Sequence, residues 1–179
     1  MNKNANSKNL KVTAFWSLIG LFTISFVIVV IVMFVNLRPI NSYSDINRDN
    51  LALVGNEMFT RNEQEYYVYV YSSKDNANID SVKADELNQG IFNYFNFVKH
   101  NSKSDNVMKI YGLDVSFVAN RGVVSNLNNY AGVSSFDKLK LNENELPVLL
   151  RVLDGGIDNA KFGTNEVLQE LQLAMDKVE

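Results

Sequence analysis

The chain has no cysteine, one histidine and two prolines among 179 residues. Without cysteine there can be no disulfide, no thiolate nucleophile, no Cys-ligated zinc or iron–sulfur cluster, and no acylated lipoprotein cysteine. A single His excludes a His-rich metal centre. A Gly-rich phosphate loop is also missing, because Gly155-Gly156 is not followed by the Lys-Ser/Thr pair such loops need. Acidic residues are absent from residues 1–37, where Lys3, Lys8 and Lys11 are the only charges. The remainder holds all 20 acids against 14 bases, an excess of six negative charges. That balance repels phosphate backbones, so nucleic acid is not an expected partner.

What the N-terminal region has instead is apolar length. Residues 12–37 carry no charge, and residues 26–35 are an unbroken run of Val, Ile, Met and Phe. As a helix, 26 residues reach about 39 Å, more than the roughly 30 Å hydrocarbon core requires. Thr13, Ser17, Thr23 and Ser25 can bond to the preceding turn, and Trp16 suits an interface. There are two rival readings. A buried soluble helix is disfavoured by the length of the run. A cleaved signal peptide is disfavoured by that length and by Val35-Asn36-Leu37-Arg38-Pro39, which has no small-x-small site. Three lysines precede the run, and Arg38 and Arg48 come after it, so the N-terminus is expected in the cytoplasm and the bulk of the chain outside. The expected organisation is a cytoplasmic segment 1–11, a transmembrane signal-anchor 12–37, a linker 38–43 and an extracytoplasmic domain 44–179.

Within that domain, Ser44 or Asp45 can cap a first helix running to about Thr60. Residues 66–71 (YYVYVY) form a β-prone run apolar on both faces, as in a central strand. A polar loop, residues 72–78, leads to a long helix from Asp80 or Ser81 to about Lys99. Leu87, Ile91, Tyr94, Phe95 and Val98 recur there at spacings of three and four. Residues 107–117 read as a second strand with a bulge at Gly112. A short helix is expected over residues 124–130. Pro147 opens a strand over residues 148–153, and Asp154-Gly155-Gly156 turns it into a return strand ending at Phe162. Thr164 then caps a last helix over residues 165–177. A 20-residue helical crossover makes the first two strands parallel, and the last two form a hairpin.

This order resembles the thioredoxin-like domains. Residues 68–72 (VYVYS) are similar to the strand that precedes the family's redox motif. Lys109-Ile110-Tyr111-Gly112-Leu113-Asp114 resembles a later family strand. Leu146-Pro147-Val148-Leu149-Leu150 with Asp154-Gly155-Gly156 resembles its cis-proline strand and hairpin, and Phe162-Gly163-Thr164-Asn165 its entry into the final helix. The resemblance covers roughly residues 44–175. The segment 119–145 departs from the family's usual linker. The implied fold is an α/β three-layer sandwich, a mixed four-stranded sheet with helices on both faces, preceded by one transmembrane helix. The likeness places Asp75 and Asn78 where the redox cysteines would be. Neither can act as a sulfur nucleophile, so the implied scaffold is redox-silent. It also implies a cis Leu146–Pro147 bond, which would present the backbone of Leu146 to an extended peptide.

Other residues read as structural. Asp75, Asp80 and Asp85 do not match calcium-loop spacing and fit solvated loop and helix-start charges. Glu143 and Glu145 fit solvated surface. His100 fits the end of the long helix, where it can cap a carbonyl. Ser72 and Ser73 have no His in a usable pattern, and Lys74 is a poor base for an adjacent serine. The Tyr66, Tyr67, Tyr69 and Tyr71 cluster belongs to a core strand, with one face able to line a groove. The expectation is therefore a membrane-anchored binding or scaffolding module with no enzymatic role and no cofactor. It would take a protein or extended peptide through Ser73, Lys74, Asp75, Asn76, Asn78, Leu146 and Pro147. The alternative is a structural subunit assembling through its transmembrane helix.

Overall fold

The computed structural model describes residues 3–36, 38–74, 80–102, 104 and 106–178. Two compact units divide the chain, residues 1–39 and 40–179. The first is α1 (Lys3–Asn36), a single helix. It begins well before the apolar run, because nothing in residues 3–11 breaks a helix. Its stretch Val12–Val35 is the one helix among the described residues long and apolar enough to cross a membrane. The side chains of that stretch are exposed, with Phe22 and Phe34 among the most open. A soluble core helix would bury them.

The second unit opens with α2 (Tyr43–Arg48). The expected helix to Thr60 is thus cut to six residues. The chain leaves it through Asn50 at φ 57° and then passes Gly55 at φ 56°, two left-handed positions that a helix cannot accommodate. The apolar residues 46, 51, 53, 54 and 58 lack the three-and-four spacing that would have held a helix together. Instead Leu51 and Leu53 bond Gly112 (2.8 Å each way), laying this segment along a strand edge, and Gly55–Phe59 forms a 3₁₀ turn.

Next in the chain are β1 (Glu65–Tyr71), α3 (Ser81–His100) and β2 (Lys109–Asp114). Asp80 caps α3, accepting from the Lys83 amide at 3.1 Å. Then come two-residue strands β3 (Val124–Ser125) and β4 (Leu141–Asn142), which pair in parallel. The chain ends with β5 (Val148–Leu153), β6 (Gly156–Phe162) and α4 (Thr164–Asp176). No helix forms at residues 124–130: that stretch lacks a continuous apolar face, and Asn129 pairs instead with Lys140.

The main sheet has the order β2-β1-β5-β6. β1 and β2 are parallel, as the helical crossover requires, while β1–β5 and β5–β6 are antiparallel. The β1–β2 register is unbroken through Gly112, so the expected bulge is absent; the irregularity lies between Arg151 and Val152. Gly112 serves close packing instead. A Cβ there would stand 2.9 Å from Ile46 Cγ2 and 3.0 Å from Tyr71 Cε1. Asp154 (φ 49°) and Gly155 (φ 74°) form the expected two-residue turn. Gly163, not Thr164, is the cap of α4, and Thr164 bonds Glu86 of α3 through its hydroxyl (3.1 Å).

Alternation along the strands sorts the core into two clusters. Tyr67, Tyr69, Tyr71, Ile110 and Leu149 pack with Ile46 of α2, Leu87 and Ile91 of α3, and Val167 and Leu171 of α4. Tyr66, Val68, Val70, Leu113, Val148 and Leu150 pack with Leu53, Met58, Val123, Leu139, Leu141 and Leu146. The α-helices of this unit therefore share one face of the sheet. The opposite face is covered by 3₁₀ turns and irregular chain, which corrects the expectation of helices on both faces. The cover comes from residues 51–59 and from the segment 119–146, where the helix expected over 124–130 does not form.

Candidate functional site

The two parallel strands, β1 and the outer β2, end side by side, with Tyr71 in register with Asp114. Side chains tie together the loops that leave these two strand ends. Asp114 Oδ1 accepts from the amides of Ser73 (3.1 Å) and Ser116 (2.8 Å). The Ser73 and Ser116 hydroxyls lie 3.0 Å apart. Asn120, fully buried, donates through Nδ2 to the carbonyls of Leu53 and Asp114 (3.0 Å each) and accepts from the Gly55 amide (2.8 Å). These bonds satisfy backbone groups left unpaired where the ladder stops.

A cleft opens on each side of this knot. On the helix-covered face, a cleft of about 540 Å³ has walls formed by Tyr43, Leu53, Val54, Tyr71, Asp114 and Phe117. The Tyr43 and Tyr71 rings stack at 4.2 Å with 15° between planes, and Tyr43 donates its hydroxyl to Asn88 of α3. Burial pushes the hydroxyls of Tyr43 and Tyr71 up from their ordinary titration range, and the Asp114 charge adds to both. On the other face, a cleft of about 510 Å³ is lined by Ser72, Lys74, Val115, Ser116, Arg121 and Glu143, among others.

The proline loop lies beside this second cleft. Val70 pairs with Val148, so Leu146 and Pro147 stand next to the end of β1. Their peptide bond is cis. Both residues are buried, and Leu146 has no exposed surface, backbone included, so the backbone that the resemblance would present to a peptide is covered here. From the first turn of α3, Lys83 Nζ donates to the Glu145 carbonyl at 2.9 Å. Burial pushes the Lys83 ammonium down from its ordinary value, against the pull of Asp80 and Glu145. The start of α3 and the proline loop are thereby in direct contact.

Of the residues named from the sequence, Ser73, Lys74, Leu146 and Pro147 come together at the same end of the sheet. Asp75, Asn76 and Asn78 lie outside the described residues. His100 Nδ1 is 2.6 Å from the Asn96 carbonyl and closes α3. Among the described residues, no group of three or more His, Asp or Glu is placed to hold a metal. Sequence reasoning missed Asp114, Asn120, Lys83 and Tyr43 as parts of the site. Asp114 closes a strand run and was legible there only as a pattern residue; Asn120 is one Asn among many. What the arrangement offers is hydroxyls, two cations and apolar walls at the ends of parallel strands, where open α/β sheets bind ligands.

No family model, curated protein or solved structure matches the chain.

Proposed function

We propose that the chain is a membrane-anchored, redox-silent thioredoxin-like module that binds a protein or extended peptide outside the membrane. The observation that carries this reading is the strand order β2-β1-β5-β6, with its one parallel pair, a helical crossover after β1 and a proline-opened strand beside the end of β1. The resemblance implies a mixed four-stranded sheet whose first two strands are parallel and whose last two form a hairpin, and these features support the reading. With no cysteine in the chain, such a scaffold keeps its peptide-facing loops but cannot exchange thiols. The groove would run from Ser72 and Lys74 past Ser116 to Arg121, with the buried proline loop as part of its support. The Val12–Val35 stretch would hold it as a single-pass anchor with its N-terminus in the cytoplasm.

The test is site-specific photocrosslinking of the full chain in native membranes, with the crosslinker at Lys74, at Arg121 and at Phe22. A discrete partner captured from Lys74 and Arg121 supports the reading. Capture from Phe22 alone would replace it with a structural subunit assembled through the anchor helix.

A further inference from the structure

The cleft on the helix-covered face has no place in the proline-side groove. It contains a buried acid. Asp114 is only 4% exposed and is one of the residues that line the cleft. Its Oδ1 already serves two amides, which leaves Oδ2 as the acceptor available there. No Lys, Arg or His lines the cleft, and Asp114 takes part in no ion pair among the described residues. A carboxylate withdrawn from water without a counter-ion is costly, and a cation supplied from outside offsets that cost.

The rest of the wall suits the same guest. Tyr71 is buried between the rings of Tyr43 and Tyr69, so the half-buried Tyr43 is the aromatic side chain that meets the cleft beside the acid. Leu53, Val54 and Phe117 supply apolar surface for a stem. Ser42, Ser44, Asn47 and Ser73 add neutral acceptors around the mouth. Beyond the cleft, Phe117 (54%), Val118 (81%) and Val54 (51%) are exposed, a surface broader than one side chain would cover. A volume of about 540 Å³ lies in the range of small-ligand sites.

We propose that this cleft receives the lysine or arginine side chain of a polypeptide partner. Asp114 is the counter-ion, Tyr43 the wall beside it, held in place by its stack on buried Tyr71, and Phe117 with Val54 and Val118 the apolar rim that the partner's neighbouring residues cover. The site meets the proline-side groove at Ser73 and through the bonds of Asp114 to the Ser73 and Ser116 amides, but it does not include Lys74 or Arg121, so photocrosslinking from those two and the lysine-to-norleucine ratio here fail separately.

The experiment uses the full chain in detergent micelles with labelled tyrosine and phenylalanine, titrated and read by NMR. The probes are N-acetyl-lysine N-methylamide, its arginine counterpart, the uncharged norleucine counterpart, and free butylamine. The blocked lysine or arginine should bind about tenfold tighter than norleucine and shift Tyr43, Tyr71 and Phe117. Asp114→Asn keeps an oxygen for both amides and should erase that preference. Phe117→Ala at the exposed rim should weaken all blocked residues while leaving the charge preference. Equal binding of norleucine overturns the proposal, as does an unchanged preference in folded D114N. Tighter binding of butylamine than of blocked lysine overturns the polypeptide source. If D114N fails to fold, the lysine-to-norleucine ratio in the native chain and in F117A decides.

Discussion

Asn120 holds Leu53 and Asp114 at once: its side-chain amide donates 3.0 Å bonds to both carbonyls, joining the edge segment to the end of β2. Asn120→Ala would leave the Leu53 carbonyl and the Gly55 amide without partners, while the Asp114 carbonyl keeps the Phe117 amide at 3.3 Å. At about 1 kcal/mol or more per orphaned group, the expected loss is about 2 kcal/mol. Denaturant unfolding of the purified chain measures it. A loss below about 1 kcal/mol would show that water replaces the side chain.

Gly112 gives a second stability test. Gly112→Ala drives a methyl into Ile46 and Tyr71, and overpacking of this kind costs about 1–3 kcal/mol. Combining it with Ile46→Ala should cost less than the two separate losses added together, because the smaller side chain makes the room. Strict additivity in a double-mutant cycle would show that the two sites do not touch.

Mutations in the candidate groove should separate into two kinds. Leu146 is fully buried in the core, so Leu146→Ala should cost about 2–5 kcal/mol and cannot report on binding. Lys74→Ala, at an exposed position, should move stability by no more than about 0.5 kcal/mol. Any loss of partner capture in K74A, with an unchanged melting curve, is then a binding effect.

Alkaline pH should unfold the domain. Burial pushes the hydroxyls of Tyr67, Tyr69, Tyr71 and Tyr94 well up, and that of Tyr111, also bonded to Glu63, up to about 12. A phenol harder to ionise when folded stabilises the fold fully below the unfolded value. That stability is lost as pH rises from about 10 toward the folded value. Phenolate absorbance should therefore appear cooperatively, together with loss of the folded circular dichroism. Gradual, independent titration of these rings would contradict the packing.

At the acid end the sign reverses. Burial pushes the Asp49 carboxyl up, but the hydrogen bonds from Arg48 and Lys99 outweigh it and hold the carboxyl below its ordinary value. Glu63 behaves likewise: burial raises it, and Lys109 with Tyr111 bring it lower still. Their contributions are present above about pH 4 and fade as pH falls through the depressed folded values. Asp49→Asn and Glu63→Gln should flatten this acid-side slope. A slope identical to that of the native chain would remove both pairs from the account.

The sequence was most legible where period and punctuation agreed. The run 66–71 became a strand buried on both faces, the three-and-four spacing from Leu87 to Val98 became α3, and Asp154-Gly155 became the hairpin turn. It was least legible where backbone geometry, not periodicity, decides the outcome. Asn50 and Gly55 break the first helix through left-handed φ values that composition does not reveal. Residues 119–145, together with residues 51–59, cover one face of the sheet through 3₁₀ turns, two-residue strands and isolated bonds. The candidate site was half visible. Pro147 announces itself as one of two prolines. Asp114 and Asn120 matter through partners 41 and 67 residues away in sequence, which no local pattern records.

The second compact unit starts at Ile40, and Asn96 of α3 grips that residue from both sides: it accepts from the Ile40 amide at 2.7 Å and donates to the Ile40 carbonyl at 2.9 Å. Any tension transmitted along the chain from α1 therefore meets a two-bond latch before it meets the sheet. The latch is seated on the longest helix of that unit, so load reaches α3 before it reaches Ser42, Tyr43 and Ser44 at the cleft wall.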